Sequence, residues 1–481
     1  MTATTAAHAA AQPPTRRTTE LVLLVFAVLV VVSAEAAVEA ARDGRLSSRL
    51  GTYAAVPIVA GVLTHLVIRR VARYADPLLL PVVVLLNGLG LVMIHRLDLG
   101  AKQQHDLYGF DYEPQAPKQV LWIALGVGLF ILLLVLVRDH RALQRYAYTL
   151  AFVGLFLLVL PAVLPARFSE VNGARIWIRL PGFSLQPGEL AKILLTIFAS
   201  AYLVQKRDVL ALAGRRLLGI DFPRGRDFGP VLAVWLVCIG VLVRGHDLGT
   251  SLVFFGVFIV LLYVATERVS WVIVGTLLFA GGAYVAYKLF DSVQTRVEVW
   301  LHPFAPLTPA QIAAGMDPGY QLRQSLFGLG TGGIFGTGLG SGHPELVPLP
   351  ATDFIVSSFG EEIGLFGLIG LLVLYALLVS RGFAAGLAVR DSFGKLLACG
   401  LSFILALQLF VVVAGVTRLL PETGLTTPFL SYGGSSLLSS WMILALLLRV
   451  SDAARRPAST PPLTVPQAPP PADTAQQAAI A

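Results

Sequence analysis

Apolar residues run in blocks of 18 or more along nearly the whole chain, separated by polar stretches that hold most of the Arg and Lys. A helix rises ~1.5 Å per residue, so about 20 apolar residues cover the ~30 Å hydrocarbon layer of a bilayer. The pattern predicts twelve spans, near 19–41, 52–70, 76–95, 118–138, 145–165, 188–204, 227–244, 248–266, 270–290, 353–380, 393–418 and 428–450. The fold class that follows is all-α, a polytopic bundle of 10–12 transmembrane helices with a long outer loop, 291–352, before the tenth span. The membrane domain is expected over 19–452. Residues 1–18 are polar and Ala/Thr-rich, and 453–481 are Ala/Pro-rich; neither composition can bury a core, so both tails are expected to be disordered.

Composition strengthens this picture. Hydrophobic residues make up 56% of the 481 and charged ones 13%, against about 25% charged in a soluble domain. The net charge of +8 suits loops on the cytoplasmic face of a membrane rather than nucleic acid, since no basic, aromatic-interleaved soluble domain is present. With both termini inside, the inner segments hold 21 Lys and Arg and the longer outer segments 14. That bias predicts cytoplasmic termini and places 166–187 and 291–352 outside. Arg16 and Arg17 precede an apolar run too long for the core of a signal peptide, so a retained first helix is expected. Cys238 and Cys399 fall inside apolar runs and read as buried, inert thiols.

Ionisable groups at membrane depth are costly and usually functional. Asp353, in LPATDFIVSSFGEEIG, stands where the outer loop meets an apolar helix. Thr352 or Asp353 can cap that helix, whose dipole would hold the carboxylate ionised; the alternative is a general base at the membrane surface. Glu361 and Glu362 lie roughly 12 Å deeper on the same helix, suited to ion pairing across the bundle or to a proton path. In QPGELAK, Pro187 suits a helix start. Glu189 and Lys192 can pair at i, i+3, or Lys192 can line a groove for an anionic substrate. The glycine string GYQLRQSLFGLGTGGIFGTGLGSG lacks the preceding strand and the GK[ST] ending of a nucleotide site. It reads instead as a loop whose backbone approaches a substrate, with Tyr320, Gln321, Arg323, Gln324 and Ser325 as polar contacts. The histidines show no metal-ligand spacing, and His246, Asp247 and His343 read as solvated or capping.

GARIWIRLPGFSLQPGELAK, HDLGTS, GYQLRQSLFGLGTGGIFGTGLG, LPATDFIVSSFGEEIGLFG and TGLTTPFLSYGGSS occur in the order seen in SEDS proteins, the RodA and FtsW family of shape, elongation, division and sporulation. The chain resembles that family over about 172–440. The N-terminal pair of extra spans, the RDHR loop and AGVTRLLPETGLTTP resemble most its RodA-type members from high-GC bacteria. The resemblance implies a peptidoglycan glycosyltransferase that polymerises lipid II beside a class B penicillin-binding protein. The family's essential aspartate maps onto Asp353, which favours the base over the cap. Its QPSE-x-x-K motif maps onto Gln186, Pro187, Glu189 and Lys192, its GYQ…QS motif onto Gly319, Tyr320, Gln321, Gln324 and Ser325, and its SYGGSS motif onto Ser431 to Ser436, Ser435 included. The chain departs from the family pattern at Gly188, at Ile176 between Arg175 and Trp177, at Val412 and at Thr423.

A departing pyrophosphate needs fixed positive charge or a metal. Arg175, Lys192 and Arg323 are the expected contacts, with Trp177 beside them. A divalent cation, Mg or Mn, is a further expectation, and no nucleotide is expected. Two other classes remain open at this point: a lipid II flippase, and a proton-coupled transporter centred on Glu361 and Glu362.

Overall fold

The computed structural model describes residues 15–457 except 45–48, 110–111, 172–173, 181–182, 212–214, 218–219, 223–232, 235, 239, 241–246 and 314. The first helices are α1 (Arg17–Asp43), α2 (Arg49–Val71), α3 (Leu79–Tyr108), α4 (Ala116–Leu136) and α5 (Ala147–Val163). Then come α6 (Pro187–Ala211), α7 (Leu248–Thr266), α8 (Val269–Leu289), α9 (Asp291–Leu301) and α10 (Tyr320–Gly332). The last three are α11 (Ile355–Ala388), α12 (Ser392–Val416) and α13 (Gly434–Arg455). Among the described residues, 10 helices are long and apolar enough to cross a membrane: α1–α4, α6–α8 and α11–α13. The expected span near 145–165 is the shorter α5, of 17 residues, and the one near 227–244 lies largely outside the described residues, as do most of both tails and His246.

The helices sort into a centre and a rim. In α3 and α6, 89% and 83% of the most apolar window is buried, against 11% in α8. The rim helices turn their apolar surface outward, as lipid contact allows, and α3, α6, α12 and α13 carry the core. Buried carboxylates of the N-terminal helix meet partners across the bundle, as the cost of leaving charge bare in lipid requires. Glu20 of α1 meets His65 of α2 at 2.7 Å, and Glu35 of α1 meets His95 of α3 at 2.6 Å. The first contact joins the two N-terminal helices to each other, and the second ties the pair to α3. At the membrane face where α1 begins and α13 ends, Asp76 accepts from Arg381 and Arg455, and Asp452 accepts from the Tyr74 amide at 2.8 Å.

On the opposite face α11 is broken. Gly364 takes φ 66°, ψ −173°, a conformation essentially closed to side-chain-bearing residues. The main chain freed by the break is taken up by the turn after α10. Thr337 and Gly338 amides donate to the carbonyls of Glu361 and Glu362 at 2.9 Å each, while the Leu365 and Phe366 amides donate to Gly333 and Ile334 at 2.9 and 3.0 Å. Irregular backbone at this depth persists only when its polar groups find protein partners. Glu362 pairs with Arg96 and accepts from the Gly340 amide at 2.9 Å; Glu361 accepts from the His343 amide at 2.6 Å. The two carboxylates therefore anchor the loop that follows α10.

The glycine string, expected to be loop, begins as helix. Its first half is helix α10, and its glycines serve close packing of protein on protein. A Cβ on Gly332 would stand 2.0 Å from the Gly360 carbonyl oxygen, whereas one on Gly330 would meet nothing within 4 Å. Gly332→Ala is accordingly expected to cost about 1–3 kcal/mol or more through overpacking. Gly330→Ala in the same helix should gain about 0.5–1 kcal/mol. Unfolding of the two purified variants in one detergent checks that the shifts have opposite sign.

Candidate active site

Asp353 lies in the turn just ahead of α11. The helix starts after Phe354, and its N-cap makes no side-chain hydrogen bond, so the carboxylate is not spent as a cap. The turn carrying it is clamped from α13's approach strand: the Ser431 hydroxyl donates to the Thr352 carbonyl at 2.6 Å, and the Tyr432 amide donates to the Ala351 carbonyl at 2.7 Å. The SYGGSS segment thus holds the aspartate turn rather than facing it across a groove. Its second serine, Ser435, accepts from the Gln186 amide at 2.8 Å, fixing the start of α6 to the same clamp.

Two residues that sequence reasoning passed over complete the surroundings of Asp353. Arg296, half-buried on α9, donates to the Glu422 carbonyl at 3.3 Å, and its charge acts on the carboxyls of both Asp353 and Glu422. The helix is held there by a reciprocal pair of contacts. The Arg418 side chain donates to the carbonyls of Trp300 and Leu301 at 2.8 Å, and the Trp300 indole donates to the Arg418 carbonyl at 3.1 Å. Burial pushes the Asp353 carboxyl up from its ordinary value, opposed by the Thr352 hydroxyl, its own amide and Arg296. Burial, then repulsion from Asp353, pushes Glu422 up to about 7, with Arg296 opposing. The expected depression of Asp353 by the helix dipole is therefore overridden by desolvation.

A second polar group lies behind this one. Gln186 donates to the Asp247 carboxylate at 3.0 Å, and Asp247 caps α7 by accepting from the Thr250 amide at 2.9 Å, matching the capping role expected of it. Lys192, only 4% exposed, donates to Glu189 at 2.6 Å and to Gln408 at 2.9 Å, and Ser439 also donates to Glu189 at 2.7 Å. The i, i+3 pair is thus present and sealed from solvent.

The remaining expected contacts are spread out. Arg175 is exposed on a short hairpin, Glu170–Val171 with Ala174–Arg175, and pairs with Glu170 at 3.0 Å. Trp177 follows it, half-buried. Arg323 donates to the Pro303 carbonyl at 2.9 Å and pairs with Asp317. Gln321 donates to the Pro348 carbonyl at 2.9 Å. Tyr320 is exposed, Gln324 is half-buried, and Ser325 is buried with its hydroxyl unpartnered. Glu422 sits in LLPETG and Arg296 in an amphipathic stretch, and neither carries a local signal that sets it apart from a solvated loop charge.

Residues 76–456 match the family model of FtsW, RodA and SpoVE, described as cell cycle protein. The chain belongs to this family. It is 52% identical over 440 residues to the peptidoglycan glycosyltransferase RodA of Mycobacterium tuberculosis, covering 91% of each chain. With the probable peptidoglycan glycosyltransferase FtsW of Geobacter sp. it shares 36% over 392 residues, covering 80% of this chain and 99% of the relative. Among solved structures, a chain of a peptidoglycan synthase complex that coordinates polymerization and crosslinking aligns with TM-score 0.59 and 29% identity, covering 79% of this chain and 98% of that one. The rod shape determining protein RodA of Thermus thermophilus aligns at TM-score 0.51 and 27% identity, covering 78% and 96%. The chain is a multi-pass membrane protein of the SEDS family.

The raised value of Glu422 has a consequence for stability. A carboxyl whose folded value lies above its unfolded one stabilises the fold fully below the unfolded value, and that contribution is lost as pH rises through the folded one. For Glu422 the window runs from the ordinary 4.5 to about 7. Glu422→Gln should therefore unfold at a higher temperature than the parent at pH 8, with the gap closing by pH 4, as read from melting in detergent at the two pH values.

Proposed function

We infer that the chain polymerises lipid II into glycan strands on the outer face of the bacterial inner membrane during elongation, with Asp353 as general base. The chain is a peptidoglycan glycosyltransferase, as its relatives of 50–52% identity are named. The observation that carries the finer reading is the state of Asp353. It is half-buried at one mouth of the bundle, uncapped, clamped by Ser431 and Tyr432, and raised above the ordinary carboxylate range. A carboxylate destabilised by desolvation is a stronger base, and it stands where an amphiphile can bring its sugars from the water layer while its tail stays in lipid.

In this reading the acceptor sugar hydroxyl loses its proton to Asp353 as its oxygen attacks the anomeric carbon of the donor. The bond from that carbon to the pyrophosphate oxygen breaks, and polyprenyl pyrophosphate leaves. Arg296 is the nearest fixed cation to the carboxyl and Arg175 an exposed one. Lys192 acts at one remove by holding Glu189 and Gln408. The residues present do not make a resident metal site: two carboxyl groups share a guanidinium, and among the described residues no three His, Cys, Asp or Glu side chains gather to hold an ion. A Mg or Mn ion would arrive with the pyrophosphate and supply neutralising charge there; turnover indifferent to a chelator would exclude it. The membrane face carrying Asp353 is the outer one, and both termini are cytoplasmic. A class B penicillin-binding protein is the proposed partner, supported by the likeness to a chain of a synthase complex.

Purified chain with its partner transpeptidase, given lipid II, should form polymer, and Asp353→Asn should lower the rate by about 10²–10⁴-fold. Polymer at the parent rate from the amide variant would sink the general-base assignment. Exchange of intact lipid between leaflets without polymer, in both proteins, would favour a flippase instead. In Asp353→Asn the Glu422 carboxyl, raised to about 7 partly by repulsion from Asp353, should titrate lower, as followed by infrared difference spectra of the carboxyl band. An unmoved titration would show that the two carboxyls do not interact.

A further inference from the structure

On the membrane face opposite Asp353, an open cavity of about 570 Å³ lies between the start of α1 and the end of α2. Arg17, Arg69, Arg70, Arg73, Thr15 and Thr18 line it. Arg17 is committed elsewhere, bonded to Glu20 and to the Ala75 carbonyl. Arg69, Arg70 and Arg73 are exposed and make no ion pair or side-chain hydrogen bond among the described residues. The neighbouring carboxylates are already matched: Glu20 with Arg17, Asp76 with Arg381 and Arg455, and Asp452 with Arg456. Three guanidiniums therefore face one cavity with no counter-charge among the described residues.

What adjoins the cavity decides the kind of anion. Toward the membrane interior both helices turn apolar side chains outward, Leu21, Val22 and Val25 on α1 and Val62, Leu63 and Leu66 on α2, each more than 40% exposed. A ligand filling this place meets guanidinium at one end and a hydrocarbon-facing helix pair at the other. We propose that the cavity binds the headgroup of an anionic phospholipid, with its phosphate among Arg69, Arg70 and Arg73 and its acyl chains along the outer surface of α1 and α2. The bias of basic residues toward one membrane face explains their sign. It does not explain why three converge, unpaired, on a cavity at the edge of the bundle, where basic pockets suit lipid headgroups. Both helices precede the segment 76–456 that matches the family model, so the site lies on an addition to the shared core.

The full chain, reconstituted in vesicles of phosphatidylcholine with a minor fraction of phosphatidylglycerol, is extracted in detergent and its retained lipid counted by mass spectrometry. The parent should keep phosphatidylglycerol. The triple variant Arg69→Gln, Arg70→Gln, Arg73→Gln should retain ~10-fold less or lower, while phosphatidylcholine is unchanged. A control with the same charge loss on the same face, Arg138→Gln, Arg145→Gln, Arg390→Gln, should behave as the parent. Equal phosphatidylglycerol in the parent and the first triple variant overturns the proposal, and so does an equal loss in the control, which would mean diffuse surface charge. Displacement of the lipid by inorganic phosphate would overturn the choice of a lipid over a free anion. Should the triple variant unfold, Arg70→Gln alone, at an exposed position, should still show a partial loss, and its full retention counts against the site.

Discussion

The main-chain hydrogen bonds between the break in α11 and the turn after α10 are the constraint on which the rest of the outer face depends. A helix broken two turns below the membrane surface leaves N–H and C=O groups where water is scarce. Here residues 333–338 supply the missing partners, and the closeness of that docking leaves no room for a Cβ on Gly332 or Gly336. Glu361 and Glu362 extend the seam by accepting from the His343 and Gly340 amides. The seam sets where the outer loop returns to the bundle, and so where the turn bearing Asp353 lies.

From that seam the site is built by clamps rather than by a rigid groove of charged side chains. Ser431 and Tyr432 hold the aspartate turn, and Arg418 and Trp300 hold α9. Between them Arg296 serves two carboxyl groups, both raised by burial. The one cation opposes the rise that burial imposes on both acids. The network of Gln186, Asp247, Glu189, Lys192 and Gln408 buttresses the start of α6 and carries no solvent-facing charge of its own.

The N-terminal helix pair stands apart from this economy of clamps. Glu20 and His65 join its two helices, Glu35 fastens it to His95 of α3, and most of its apolar surface faces outward. Its arginine-lined cavity lies on the face opposite Asp353.

Length and continuity of apolar runs sufficed to determine the class of fold and where ten of the expected spans lie, because a bilayer admits little besides helices of that length. Motif order likewise singled out Asp353, the QPGELAK start and the SYGGSS turn. What residue order left undecided was which polar groups meet. Ser431 reaches Thr352 across 79 residues, Arg96 reaches Glu362 across 266, and Arg296 reaches Glu422 across 126. Such pairs leave no local trace, since a loop arginine or glutamate reads the same whether solvated or buried. Only the packing of α9 and of the 417–433 segment against the aspartate turn decided that Arg296 and Glu422 belong to the site, that Arg323 and Lys192 are held by protein, and that desolvation outweighs the helix dipole at Asp353.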